Sequence, residues 1–188
     1  GSMAAVLGLD PARVVAICAQ VQAELAGDST AVVEAANFND PGQTVISGSK
    51  AAVERACEML KAGGARRAML LPVSAPFHCR LMLPAAEKLR TALESVALQA
   101  PAMALINNVD VAFEVDADRI RDALYRQAFG AVRWVECVRA LKARGISHVV
   151  ECGPGKVLVG MAARIDPELT GLPLFDPATL DAVEAALA

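Results

Sequence analysis

The sequence has 188 residues, enough for one large domain or two small ones, and a chain of this size buries roughly 70% of its unfolded surface without needing staples. Hydrophobic residues make up 55% and charged residues 21%, which argues against disorder; aromatics are only 4%, a composition that suits helices packed on a sheet better than a β-sandwich. The net charge of −3 comes from interspersed acidic and basic residues, with no basic block or basic-aromatic stripe for nucleic acid and no apolar run long enough for a bilayer.

Ala4 to Leu9 reads as a short apolar strand. Asp10-Pro11 is an N-cap followed by Pro at the first helical position, and Val14, Cys18, Val21 and Leu25 then recur at helical spacing as one buried stripe. Val32 to Ala36 and Thr44 to Ile46 are predicted strands, separated by the turn-rich Asn37-Phe38-Asn39-Asp40-Pro41-Gly42. Ser49 is placed to cap a second helix with Val53, Cys57 and Leu60 inward, closed by Gly63-Gly64. Arg67 to Leu71 is a fourth strand. The order β-α-β-β-α-β with right-handed crossings predicts a ferredoxin-like subdomain over residues 3–72.

Pro72 to Pro76 breaks the pattern and marks the expected boundary, with a second domain over 73–188. Pro84 opens a helix carrying Leu89, Leu93 and Val96; Ala104 to Asn107 is a strand; Asp116 caps a helix with Ile120, Ala123 and Leu124. A helix from about Arg133 to Arg144 is expected to bury Trp134, Val138 and Leu141. His148 to Cys152 is a strand leading into Gly153-Pro154-Gly155, followed by a helix with Val157, Leu158, Met161 and Ile165 on one side. A short strand at Leu172 to Phe175 and a helix from Leu180 to Leu187 complete the chain. This alternation predicts part of a mostly parallel sheet covered by helices, in an α/β fold overall.

The five scattered cysteines form no C-x-x-C pair, and with no signal peptide in view they read as reduced, cytosolic thiols. The two histidines, His78 and His148, have no Cys or His at ligand spacing, so no metal is expected. Gly1-Ser2 before Met3 is either an expression scar or native sequence.

His78 follows Ser74-Ala75-Pro76-Phe77 in a loop between a strand and a helix, where α/β proteins place reacting groups. A neutral imidazole there can take a proton from a hydroxyl near neutral pH, or can simply be a structural hydrogen-bonding group. Gln127 falls on the apolar stripe of its helix, so its amide is either a polar contact that fixes the fold or a group aimed at a site. Asn37 and Asn39 flank Phe38 and can either bind an amide-rich ligand or form a turn. Gly153-Pro154-Gly155-Lys156 lies before a helix, but Val150 and Val157 occupy positions that a P-loop requires as Gly and Ser/Thr, which excludes nucleotide binding by that route. Cys79 adjoins His78, but neighbours on an extended segment point apart, which argues against a Cys-His nucleophile pair. None of the seven serines lies in a G-x-S-x-G elbow.

Taken in order, Met3 to Leu9, Ala36-Asn37-Phe38-Asn39-Asp40-Pro41-Gly42-Gln43, Val45-Ile46-Ser47-Gly48, Pro72 to Cys79, Asn107-Asn108-Val109, Arg126-Gln127, Val132-Arg133-Trp134 and Glu151 to Leu158 resemble segments of the bacterial malonyl-CoA:acyl carrier protein transacylases. The likeness runs from Met3 to about Ile165 and corresponds to the C-terminal two-thirds of that family. It implies transfer of malonyl from coenzyme A to the phosphopantetheine thiol of acyl carrier protein in fatty-acid biosynthesis, by a serine-histidine ping-pong mechanism with no cofactor and with a cytoplasmic location. The resemblance makes His78 the base and Gln127 the group that orients it. It places Asn37 and Asn39 near the pantetheine path and Phe77 where a bulky ring selects malonyl over methylmalonyl. It also implies that the larger sheet belongs to the C-terminal part of an α/β-hydrolase-like subdomain, incomplete here and left with an exposed edge. The family's elbow serine, its malonate-binding arginine and its oxyanion glutamine are absent from the sequence. The isolated chain is therefore expected to be inactive, with the missing N-terminal part as a possible partner in trans. The competing reading is a non-catalytic module that binds coenzyme A or acyl carrier protein.

Overall fold

The computed structural model describes residues 1–188 and divides by internal contacts into two units, Gly1–Trp134 and Val135–Ala188. The first unit opens with β1 (Ser2–Leu7), α1 (Pro11–Glu24), β2 (Val33–Asp40), β3 (Gln43–Gly48), α2 (Lys50–Ala62) and β4 (Arg67–Leu70). The four strands form one sheet in the order β2-β3-β1-β4 with every neighbouring pair antiparallel. Ala4 faces Ile46 on one side and Leu70 on the other.

Each face of the sheet carries a cluster of apolar side chains. Ala4, Val6, Val33 and Ile46 pack with Val14, Ile17, Cys18 and Val21 of α1 and with Val53, Ala56 and Leu60 of α2. Met3, Ala36 and Val45 point the other way, against Leu71. The alternation of strand side chains divides β1 between these two clusters.

The start of α1 and the end of α2 fall where the sequence signals them, while α1 itself stops at Glu24 with Leu25 as its C-cap. The Asp10 carboxylate accepts from the N–H groups of Ala12 (2.9 Å) and Arg13 (3.3 Å). At the end of α2, Gly64 adopts a left-handed φ of 102°, its N–H donates to Lys61 O and the Ala65 N–H donates to Leu60 O, which is a Schellman closure. Ser49 precedes α2 but makes no side-chain cap; its hydroxyl accepts from the Val32 N–H at 3.4 Å. The neighbouring Gly48 lies so close to the Val32 carbonyl that no Cβ fits between them.

The predicted turn at 37–42 is shorter in the structure. The strands run to Asp40 and resume at Gln43, leaving Pro41-Gly42 as the turn, with register shifts between Ala35 and Asn37 and between Phe38 and Asp40. Asn37 and Asn39 are therefore residues of a bulged strand.

The rest of this unit holds a single 3-10 turn (Arg80–Met82), α3 (Leu83–Glu94), the two-residue strands β5 (Leu105–Ile106) and β6 (Phe113–Glu114), and α4 (Ala117–Gln127). β6 has no counterpart among the predicted strands, and it pairs with β5 antiparallel, because six residues are too few for a crossover. The contact boundary falls at Trp134/Val135 and not near residues 72–75, since the chain after Pro76 returns to the small sheet: Val132 N–H donates to Ala36 O (2.8 Å) and Phe38 N–H donates to Val132 O (2.9 Å). Arg80 adds an ion pair to Glu34 at 3.3 Å.

Leu93 is buried in α3, but Leu89 and Val96 are exposed; in α4 only Ala123 is buried and Leu124 is 44% exposed. The periodic apolar stripe locates one face of each helix without specifying what covers it. Asp116 caps α4 as the sequence predicts, accepting from Asp118 N–H (3.1 Å) and Arg119 N–H (2.9 Å). Asp116→Ala is expected to lower stability by about 1 kcal/mol, seen in urea titrations followed by circular dichroism, with an unchanged midpoint counting against the cap.

The second unit contains α5 (Trp134–Ala143, whose first residue closes the first unit), β7 (His148–Cys152), α6 (Val157–Ile165), β8 (Thr170–Leu174) and α7 (Pro177–Leu187). Val135, Cys137 and Val138 are buried in α5, while Trp134 and Leu141 are half-buried. β7 and β8 pair in parallel, each with its other edge outside any ladder. Val157 and Leu158 of α6 are 64% and 42% exposed, against the expectation that they pack inward. α7 starts three residues earlier than predicted because Asp176 and Thr179 form a reciprocal capping box. No helix is long and apolar enough to cross a membrane.

Candidate active site

His78 sits on the segment that leaves β4 and precedes α3, with a backbone φ of 59°. That left-handed conformation is uncommon for a residue with a Cβ and persists only where surrounding contacts impose it. Three contacts do so here. Cys79 is fully buried and its thiol donates to Pro76 O at 3.2 Å. The Arg80 N–H donates to Glu34 Oε2 at 3.0 Å, and its guanidinium also reaches Gln22 on α1. The His78 Nδ1 lies 3.0 Å from the main-chain carbonyl of Gln127.

The last contact fixes the ring's chemistry. A carbonyl oxygen can only accept, so Nδ1 must carry the proton. In the neutral ring Nε2 then keeps its lone pair and is the basic nitrogen. Gln127 is the last residue of α4, where carbonyls lack intrahelical partners and carry the negative end of the helix dipole.

The Gln127 side chain performs a different task from the one expected of it. Its Nε2 donates to Gly130 O (3.0 Å) and Ala131 O (3.4 Å), which folds the chain back at the helix end. The contact with the imidazole comes from the main chain. Asn37 lies beside this turn, bridged to Val132. Asn39 is half-buried near the hairpin end of β2, and Phe77, directly before His78, is 44% exposed. The structure thus joins His78 to Gln127, sets Asn37 against the strand-like segment that follows, and leaves the Phe77 ring open to solvent.

Two features of this region escaped the sequence reading. Arg126 grips Asp110 with both guanidinium nitrogens (2.6 and 2.7 Å) and Asp122 with Nε (2.7 Å). The guanidinium holds the Asp110 carboxyl below the usual carboxylate range, outweighing the opposing effect of burial. A cleft of about 210 Å³ also opens beside α4, lined by Leu105, Ile106, Asn108, Ile120, Leu124 and Gln127. The available signal for the ion pair was the charge of Arg126 next to the half-buried Gln127.

Ser147 Oγ lies 2.9 Å from His148 Nδ1. The N-terminus of α6, after the glycine-rich loop, is occupied by Glu151, whose carboxylate accepts from the Val159 N–H at 2.9 Å. Burial, with smaller contributions from Cys57 and Glu34, pushes the Cys18 thiol up to about 12, and burial likewise raises Cys79, so neither is a thiolate nucleophile at neutral pH. All five cysteines are free thiols. No group of three or more His, Cys, Asp or Glu side chains is arranged to hold a metal ion.

No family model matches the chain. A malonyl CoA-acyl carrier protein transacylase from Salmonella typhimurium is 48% identical over 182 residues, covering 97% of this chain and 57% of its own length. Over the segment it spans, the chain is similar throughout to malonyl CoA-acyl carrier protein transacylases. The crystal structure of an acyl-carrier-protein S-malonyltransferase from Burkholderia pseudomallei superposes with a TM-score of 0.92 at 54% identity, again over 97% of this chain and 57% of that one. A malonyl-transacylase solved in complex with its type II polyketide acyl-carrier protein matches with a TM-score of 0.92 at 41% identity, over 98% and 58%. The chain therefore spans a little more than half the length of these transacylase relatives, and its mixed α/β architecture of antiparallel and parallel sheets is theirs over that span.

Proposed function

We propose that this segment supplies the general base, and the surface around it, for malonyl transfer from coenzyme A to the phosphopantetheine thiol of acyl carrier protein in fatty-acid synthesis. The observation that carries the reading is the Nδ1–H donation from His78 to the Gln127 carbonyl, which leaves Nε2 free. In this reading the ferredoxin-like sheet and helices within residues 3–72 share one unit with the segment that carries His78, and the chain beyond that unit belongs to an α/β-hydrolase-like subdomain. The serine comes from the portion of the family outside the sequence.

Nε2 takes the serine proton as the oxygen attacks the malonyl thioester. When the tetrahedral adduct collapses, the C–S bond breaks and the coenzyme A thiolate takes that proton from the imidazolium. The second half runs in reverse with the pantetheine thiol as nucleophile, so protons and acyl group balance with no cofactor. The end of α4 does the work of the triad carboxylate: it fixes the tautomer and presents partial negative charge to the ring as positive charge develops there. Asn37 and Asn39 lie along the pantetheine path, and the Phe77 ring crowds an α-methyl, favouring malonyl over methylmalonyl. The free thiols and the substrate fit the cytoplasm.

The chain alone is expected to transfer nothing. Incubation with malonyl-CoA followed by intact-mass measurement should show no adduct, and mixing with the remaining portion of a relative should restore transfer to acyl carrier protein. A stable malonyl ester on the chain alone would overturn the division of labour. Saturable coenzyme A binding with no transfer after mixing would favour a binding module instead.

A further inference from the structure

We infer that Asp110 and Arg126 form a positioning pair for the His78 imidazole, acting through the main-chain carbonyl of Gln127; this rests on the reading of His78 as the base. That carbonyl has no side-chain torsion of its own, so its direction is set wholly by the end of α4. Arg126 is the residue before it, and its guanidinium is held on both sides, by Asp110 through two parallel bonds and by Asp122 through Nε. Paired forks of this kind fix orientation as well as distance.

Asp110 is itself anchored. Its N–H donates to Asn107 Oδ1 at 2.7 Å, inside a loop closed by Asn107 N–H to Ala112 O (3.0 Å) and Val111 N–H to Asn107 O (3.1 Å). Val111 takes a φ of 60°, which a β-branched residue adopts only under constraint. The same loop receives the Arg133 N–H on Asn108 O at 3.0 Å, so it holds the exit of α4 from two directions. The carbonyl of Arg126 is used internally, accepting from Phe129 and Gly130, while that of Gln127 is left to the imidazole. If the pair is broken, the last turn of α4 is free to rotate, and the bond that selects the tautomer lengthens.

The test reads the tautomer directly in the chain as it stands. With only two histidines, long-range ¹H–¹⁵N spectra of the imidazole-labelled protein are assigned using His148→Gln. Above the imidazole titration range, wild-type His78 should be in the Nδ1–H form. Asp110→Asn and Arg126→Lys should each lower the ratio of Nδ1–H to Nε2–H by about fivefold, the cost of one hydrogen bond. Arg121→Gln removes a different anchor of α4, to the Leu93 and Val96 carbonyls, and should leave the ratio unchanged. An unchanged ratio in both pair variants, an equal change in Arg121→Gln, or a wild-type ring already in the Nε2–H form would each overturn the assignment. If Asp110→Asn fails to fold, Arg126→Lys decides the matter alone. No turnover is measured, so failure of His78 as a base in a transfer assay is a separate result.

Discussion

His78→Ala, introduced into a full-length transacylase carrying this segment, is expected to lower kcat for malonyl transfer by about 10²–10⁴-fold, with KM for malonyl-CoA changed far less. The base acts on the serine proton in the transition state and is not needed to hold coenzyme A in the ground state, so its loss falls on kcat. The structure makes this a demanding expectation, because the ring is held in one tautomer at the price of a left-handed backbone. Removing the ring should leave the turn in place without opening the core, since Cys79 and Arg80 keep their own partners. Stopped-flow measurement of acyl-enzyme formation separates the chemical step from product release. Unchanged acylation in a variant with an unchanged melting temperature would remove His78 from the reaction.

The largest effect on stability is expected at Leu60. Its side chain is fully buried at the end of α2, within the cluster that joins α1, α2 and the four-stranded sheet. Truncation removes transfer energy and leaves a cavity walled by a sheet that cannot collapse around it, so Leu60→Ala should cost about 2–5 kcal/mol. Leu124→Ala, on a residue of the same type that is 44% exposed, should shift stability by no more than about 0.5 kcal/mol. Urea unfolding of both variants makes the comparison. Equal losses at the two positions would mean that Leu124 is packed as tightly as Leu60, contrary to the described burial.

The element order of the first 70 residues was legible because each level of the sequence agreed: alternation in the strands, helical spacing in the helices, Asp10 at one end and Gly63-Gly64 at the other. The later segments were read less well, for three physical reasons. β6 is two residues long, too short to show a period. Leu89, Leu124, Val157 and Leu158 belong to apolar faces, but a periodic face does not reveal whether anything packs against it. The proline-rich break at 72–76 suggested a boundary from local chain stiffness, whereas the division by contacts depends on Val132 returning to Ala36 and Phe38, a pairing nearly a hundred residues apart in sequence.

The candidate site shows the same limit at the level of single atoms. Residue types and a loop position pointed to His78 and Gln127, and the two do meet. The atom that meets the ring is a backbone oxygen, which every amino acid possesses, so nothing in the identity of Gln127 disclosed it. The left-handed turn at His78 was equally hidden, because it arises from distant anchors at Glu34 and Gln127 and not from a glycine.

An interaction made through the polypeptide backbone is inherited with the fold, not with a codon. For the grip on the imidazole, selection acts on the path of the chain at the end of α4, so the amino acids that satisfy it at position 127 should be those that keep the reverse turn which the Gln127 amide now pins to Gly130 and Ala131. A saturation library at that codon would then report which substitutions preserve the trace of the chain, and the tolerated set would be defined by geometry in place of acid–base character.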